Sequence, residues 1–122
     1  MEAIVQRYFE MVNKDDVDGL LSLWDDNGTF EIPLRGRLKG KEEIRKFYES
    51  LPALYAAHHD GPVKSVIAGN EAVVKVAVTN TTREGKTITF DAVSWMTFGA
   101  DKKLLSIEAK FDTAKLLKDL KG

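Results

Sequence analysis

The first half of the chain places apolar residues at helical spacing. One face of a first helix is formed by Ile4, Val5, Tyr8, Met11 and Val12. A polar break at residues 13–16 can cap a second helix, whose apolar positions are Val17, Leu20, Leu21 and Trp24. A third helix is predicted from Lys41 to Leu51, where Pro52 ends it, with Ile44, Phe47, Tyr48 and Leu51 facing inward.

The second half has the pattern of strands separated by turns. Turn residues at 61–62, 69–70, 84–85 and 99–100 divide runs rich in Val, Ile, Thr and Phe, at about 55–60, 63–68, 72–81, 86–98 and 103–111. The terminal "DTAKLLKDLKG" predicts a short helix capped by Asp112 or Thr113. Helices followed by a meandering sheet predict an α+β domain with the helices on one sheet face.

Length and charge limit the classes of partner. The 122 residues suit one domain spanning 1–122. The 18 basic and 19 acidic residues are mixed along the chain, so we expect neither nucleic acid nor a membrane as partner. No signal-peptide pattern opens the chain, and its apolar runs are too short to cross a bilayer. The absence of cysteine excludes disulfides and thiol catalysis, and a cytoplasmic location is expected.

Four stretches of the sequence resemble a known family. "AIVQRYFEMVNKDDVDGLLSLWDDNGTFEIP" is similar to the opening of the bacterial ketosteroid isomerases, which belong with the SnoaL-like cyclases to the nuclear transport factor 2-like (NTF2-like) superfamily. "RGRLKGKEEIRKFYESL" resembles their third helix, and "GPVKSVIAGNEA" and "DAVSWMTFGADKKLLSIEAKF" resemble later strands. The resemblance implies a cone, in which a strongly curved mixed sheet and three N-terminal helices enclose an apolar cavity. It also implies a homodimer.

Two of the isomerases' three catalytic groups are replaced in this chain. Those enzymes use a carboxylate base and an oxyanion hole made of a tyrosine and a protonated aspartic acid. The resemblance places the tyrosine at Tyr8, the base at Ile32 and the acid at Ser94. An isoleucine cannot accept a proton, and a serine hydroxyl is a weaker donor than a carboxylic acid. We therefore expect that the chain is not a true ketosteroid isomerase.

Strand alternation predicts which residues line the cavity. If Ser94 faces inward, its alternate neighbours do so too, while Val93 and Trp95 face outward. Matching the other strands gives a predicted ligand-binding set of Ile32, Val76, Val78, Asn80, Ala92, Met96 and Phe111. An apolar pocket with a few polar points suits a hydrophobic small molecule.

The two histidines lie next to each other in "YAAHHDGPV". Adjacent strand residues face opposite ways, so they cannot readily share a metal ion, and we expect neither a metal site nor a cofactor. The family match of "GPV" predicts that His59 faces inward and His58 outward. An imidazole titrates near neutral pH, so the candidate catalytic residues are Tyr8, His59 and Ser94. The alternative is that His59 is a hydrogen-bonded residue of the cavity wall.

Three functions remain open at this point. The first is a small-molecule-binding protein that lacks the isomerases' base. The second is an enzyme of another proton-transfer type (isomerase, cyclase or dehydratase-like) that uses His59 and Tyr8. The third is a non-catalytic dimeric interaction module whose working surface is the outer sheet face around Val93 and Trp95.

Overall fold

The computed structural model describes residues 1–121, which form four helices and six strands. The helices are α1 (Glu2–Asn13), α2 (Val17–Leu23), α3 (Gly40–Leu54) and α4 (Thr113–Lys121). The strands are β1 (Trp24–Ile32), β2 (Gly36–Lys39), β3 (Tyr55–Ala68), β4 (Glu71–Thr82), β5 (Thr87–Phe98) and β6 (Leu104–Phe111). The final Gly122, part of the predicted terminal helix, lies outside the described residues.

The strands form one mixed sheet in the order β2-β1-β6-β5-β4-β3. The β1–β6 pair is parallel and the other pairs are antiparallel. The sheet is curved and does not close into a barrel, because β2 and β3 remain its two edges. Helix α1 packs against β3, and α3 packs against β1 and β3. The predicted α+β class, with helices wrapped on one face of a curved sheet, is confirmed.

The turn between α1 and α2 presents a carboxylate to the sheet. Asp16 caps α2, because its side chain accepts a 3.0 Å hydrogen bond from the Gly19 backbone N–H. Asp15, one residue earlier, has a φ of 55°, in the left-handed region that aspartate tolerates better than most residues. In this conformation the Asp15 carboxylate reaches His58 of β3.

Two predicted helix ends are wrong by a few residues. Trp24 begins β1 instead of ending α2, and it is fully buried in the core. Pro52 does not end α3, which continues to Leu54. The guanidinium of Arg83 donates to the backbone carbonyls of Pro52 and Ala53, so the last turn of α3 has a partner from the β4–β5 hairpin.

The predicted turn at residues 61–62 is also wrong, because β3 runs through it without a break. Pro62 has no N–H to donate, which would damage a central strand. Strand β3 lies at the edge of the sheet, where a proline is tolerated. The predicted terminal helix is present as α4, and its cap is Asp112, which accepts a 3.0 Å bond from the Lys115 backbone N–H.

Candidate functional site

A cavity of about 320 Å³ lies between the helices and the concave face of the sheet. Its walls are mainly apolar and aromatic, and they include Phe30, Phe47, Phe90 and Phe111. Helix α4 contributes Leu116 and Leu120 to the lining. The cavity is near the lower end of the range of about 300–1,000 Å³ that small-molecule sites occupy.

Most of the residues predicted for the cavity wall do lie on it. They are Tyr8, Ile32, Val76, Val78, Asn80, Ala92, Ser94 and Phe111. Met96 is the exception among the predicted ligand-binding residues, because it is fully buried and is not part of the lining. It pairs across the sheet with Ala72 and Ile107, which are equally buried, so this end of the sheet is packed core. The functional roles of the wall residues stay predictions.

The orientation predicted for the two histidines is wrong. His58 lines the cavity, and its side chain is only 5% exposed. His59 is exposed and is not among the lining residues. It lies opposite Thr79, another exposed residue, whereas His58 lies opposite the buried Asn80. His59 therefore cannot act on a molecule in the cavity.

A bulge in β3 is the physical reason for this reversal. A register shift between residues 62 and 64 inserts one extra residue into the strand. Ile67 packs against the core. If the strand had no extra residue, every second residue before Ile67 would face inward as well, and His59 would be one of them. The extra residue reverses the alternation, so His58 and Asp60 face the cavity instead.

A carboxylate orients the imidazole of His58. Nε2 of His58 lies 2.7 Å from Oδ1 of Asp15. In the neutral imidazole, Nε2 carries the hydrogen and donates to Asp15, which leaves a lone pair on Nδ1. Nδ1 is buried and has no hydrogen-bond partner within residues 1–121. A carboxylate that orients an imidazole in this way, and leaves its second nitrogen without a protein partner, is an arrangement that suits a general base.

Asp60 supplies a second titratable group on the same wall. Burial raises the pKa of its carboxyl above the ordinary value of 3.8, while the neighbouring His58 and His59 oppose this shift. The backbone of Asp60 is fixed by the side chain of Asn13, whose Nδ2 donates to the Asp60 carbonyl at 2.9 Å and whose Oδ1 accepts from its N–H at 2.8 Å. A carboxyl with a raised pKa is a better proton donor near neutral pH than an exposed one.

Two phenols and an indole form a buried chain of hydrogen bonds beside these groups. The hydroxyls of Tyr8 and Tyr48 lie 2.8 Å apart, and Nε1 of Trp24 donates to Tyr48 at 3.0 Å. Burial raises the pKa of both phenols, so each keeps its hydrogen at neutral pH. Either phenol can be the donor; when Tyr48 donates to Tyr8, the Tyr8 O–H is free to donate into the cavity.

Sequence reasoning missed Asp15, Tyr48 and Asp60 as parts of the site. One usable signal was the spacing of His58 and Asp60, since residues two apart on a strand share a face. For Tyr48 the signal was its place on the inward face of the third helix. No local signal pointed to Asp15, because its contact with His58 joins parts of the chain 43 residues apart.

Within the described residues, no group of three or more His, Cys, Asp or Glu side chains is placed to hold a metal ion. In the same part of the chain, no helix combines the length and apolar character that a membrane crossing requires. The polar side chains that line the cavity carry an imidazole, a carboxyl, an amide, hydroxyls and the guanidinium of Arg35.

A cavity enclosed between helices and the concave face of an open mixed sheet is the cone that the resemblance of the sequence implied. The chain belongs to the SnoaL-like domain family, whose model matches residues 5–107. The resemblance found in the sequence is thereby confirmed.

Solved structures agree with this fold over nearly the whole chain. An NTF2-like protein of unknown function from Burkholderia pseudomallei has a TM-score of 0.87 and 21% identity, covering 97% of this chain and 95% of its own. The epoxide hydrolase/cyclase-like enzyme SalBIII, of pyran ring formation in salinomycin, has a TM-score of 0.84 and 22% identity, covering 93% and 92%. A putative SnoaL-like polyketide cyclase from Shewanella denitrificans has a TM-score of 0.87 and 12% identity, covering 98% and 96%. At these identities the likeness shows the fold alone.

Proposed function

We propose that this chain is an enzyme that holds an apolar small molecule in the cavity and transfers protons on it, with His58 as base and Asp60 as acid. One observation carries the proposal: a carboxylate-oriented imidazole and a carboxyl of raised pKa share one wall of an apolar cavity. Pairs of titratable groups in different environments are typical of acid–base sites. The earlier assignment of the base to His59 is replaced by His58.

The chemistry assigned to the pair is a proton transfer between a ligand and two side chains. For a ketone, Nδ1 of His58 takes the proton from the carbon next to the carbonyl, so that the C–H bond breaks and its electrons form the enol C=C bond. Asp60 gives its proton to the carbonyl oxygen, which the Tyr8 O–H also stabilises. The reverse steps return the enol to the ketone and restore both side chains.

Two findings favour this class of reaction over the ketosteroid isomerase mechanism. Ile32 and Ser94 lie on the cavity wall, but they provide neither the base nor the acid of the isomerases. The similar structures include proteins described as a cyclase-like enzyme and a polyketide cyclase, and ring closures of this kind require proton transfers. A second candidate function is ligand binding without turnover. It is favoured by the replacement of the isomerases' base and acid by Ile32 and Ser94.

Exchange of an enolisable bicyclic ketone tests the proposed function. The protein in D₂O is expected to accelerate incorporation of deuterium next to the carbonyl of 2-tetralone, because His58 and Asp60 can form the enol inside the cavity. NMR loss of the α-proton signal measures the rate, which should saturate with ketone concentration. Saturable binding without faster exchange would support the binding protein instead, and the absence of both would contradict the proposal.

We also propose that the chain forms a homodimer through the outer face of the sheet. Val66, Val73 and Trp95 form one cross-strand row on that face, and Trp95 is 49% exposed. Exposed apolar rows of this kind favour protein contacts. We expect a dimer mass at micromolar concentration for the native chain and a monomer for Trp95→Glu, measured by light scattering.

The control for this test is Leu54→Glu, which adds the same charge at an exposed leucine of α3, away from the outer sheet face. It should leave the dimer intact. A native chain that is already monomeric at that concentration would refute the proposed dimer.

A further inference from the structure

The strands β3 and β4 place two hydrogen-bond acceptors side by side on the cavity wall. His58 and Asn80 are directly paired residues of the two strands, so their Cβ atoms lie about 5 Å apart. Nδ1 of His58 and Oδ1 of Asn80 are both buried, and within the described chain neither has a hydrogen-bond partner. The Asn80 residue is only 7% exposed.

Orphaned buried polar atoms are unusual, because each one costs free energy unless something bonds to it. A second buried polar residue on the same strand shows the usual situation: Oγ1 of Thr82 accepts a 3.0 Å bond from the Lys86 backbone N–H. Asn80 and His58 differ from Thr82 because both line the cavity. We take the missing partners of these two atoms to be groups of the molecule that occupies the cavity.

The donor and acceptor character of this wall selects the chemistry of that molecule. With Nε2–H of His58 committed to Asp15, the neutral imidazole offers a lone pair at Nδ1, and the Asn80 amide offers a carbonyl oxygen. Both positions need donors, and neither is satisfied by an ether or a ketone oxygen. The cavity lining also includes aromatic rings, Phe90 and Phe111 among them, whose centroids are 5.1 Å apart.

We propose that this wall is a subsite for two hydroxyl groups on one edge of an aromatic or enolic ring, one bonded to His58 Nδ1 and the other to Asn80 Oδ1. The ligand class is a ring dihydroxy compound of about two fused rings, given the small cavity. The inference rests on the proposed function for the role of the cavity, and it adds a class of ligand that occupies Nδ1 of His58 and therefore competes with the ketone. The rings of the ligand contact the phenylalanines, while its two hydroxyls fix its orientation.

The test on the native protein compares rings that differ only at this edge. The probes are 2,3-dihydroxynaphthalene, 2-naphthol and 2,3-dimethylnaphthalene, with dissociation constants measured by displacement of a fluorescent hydrophobic dye. We expect each hydroxyl to tighten binding by about tenfold or more, because its absence leaves a buried acceptor unpaired. Equal affinity for the dihydroxy and dimethyl rings would overturn the inference.

Asn80→Leu tests the amide separately. This variant should bind the dihydroxy ring no more than about threefold more tightly than 2-naphthol. Its thermal midpoint without ligand should equal or exceed that of the native protein, because an unpaired polar group has been replaced by an apolar one of similar size. The matched control Thr82→Val removes a satisfied acceptor, so it should lower the midpoint and leave the affinity ratio unchanged. A lower midpoint for Asn80→Leu with an unchanged ratio would refute the role of Asn80.

These binding results are separate from the outcome of the exchange assay. A preference for the dihydroxy ring in a protein that catalyses no exchange would leave the subsite standing and refute the enzyme. Ketone exchange in a protein that does not distinguish the three rings would leave the enzyme standing and refute the subsite. If Asn80→Leu does not fold, the native series alone decides.

Discussion

Asp60→Asn is expected to lower the rate of ketone α-proton exchange by about 10²–10⁴-fold, the usual contribution of a general acid or base. Asparagine has nearly the same shape but cannot give its proton to the ligand oxygen. The backbone bonds between Asp60 and Asn13 are unaffected by the change, so the cavity wall stays in place. The rate is measured by NMR at saturating 2-tetralone.

The same variant should stabilise the fold, in a pH-dependent way. Since burial raises the Asp60 pKa above 3.8, the folded protein binds this proton more tightly than the unfolded chain does. Between the unfolded and the folded pKa, the folded state carries more protons, so the free energy of unfolding falls as the pH rises and then levels off. Asparagine does not titrate, and its advantage in thermal midpoint should therefore be absent below pH 3.8 and present at neutral pH.

Asp91→Asn is the matched control. Asp91 lies on β5, it is exposed, and its carboxylate is 3.9 Å from the Lys75 ammonium. Removing its charge should change neither the exchange rate nor the pH dependence of stability, because exposed ion pairs contribute little. An Asp60→Asn protein that keeps the native rate would contradict the acid role. A midpoint difference that does not vary with pH would contradict the raised pKa.

The fold and the regular part of the sheet could be predicted from the sequence. The strands β4 and β5 pair from end to end without a register shift, so alternation from Ser94 correctly placed Val76, Val78, Asn80 and Ala92 on the cavity wall. The helical period likewise found the inward faces of α1 and α3. Both patterns depend on hydrophobic spacing within a single element, which a sequence displays directly.

The wall that carries His58 and Asp60 could not be predicted, because it depends on a bulge. A bulge is defined by the residues that oppose it on the partner strand, which is long-range information. Its single extra residue, between positions 62 and 64, reverses the alternation, so that His58 and Asp60 face the cavity, whereas the family match of "GPV" had placed His59 there. Pro62 lies within this segment, and an edge strand that contains proline was misread as two strands with a turn. The burial of Met96 in packed core was missed for a related reason. Alternation predicts which way a side chain points, but not whether other side chains fill the space there.

The adjacent histidines provide a matched pair of variants for the central claim. His58→Gln keeps a side chain of similar size, whose amide can still donate to Asp15, but it removes the basic nitrogen from the cavity. We expect it to lose about 10²–10⁴ of the exchange rate while retaining its fold. His59→Gln makes the same chemical change one residue away, on the exposed side of the strand.

The decisive experiment is therefore to measure the rate of deuterium incorporation into 2-tetralone by the native protein, His58→Gln and His59→Gln, at equal concentration and with thermal midpoints recorded for each. We expect a native rate that exceeds that of the protein-free solution, a rate close to native for His59→Gln, and a loss of about a hundredfold or more for His58→Gln. Loss of activity in His59→Gln with a native rate in His58→Gln would show that His58 is not the base.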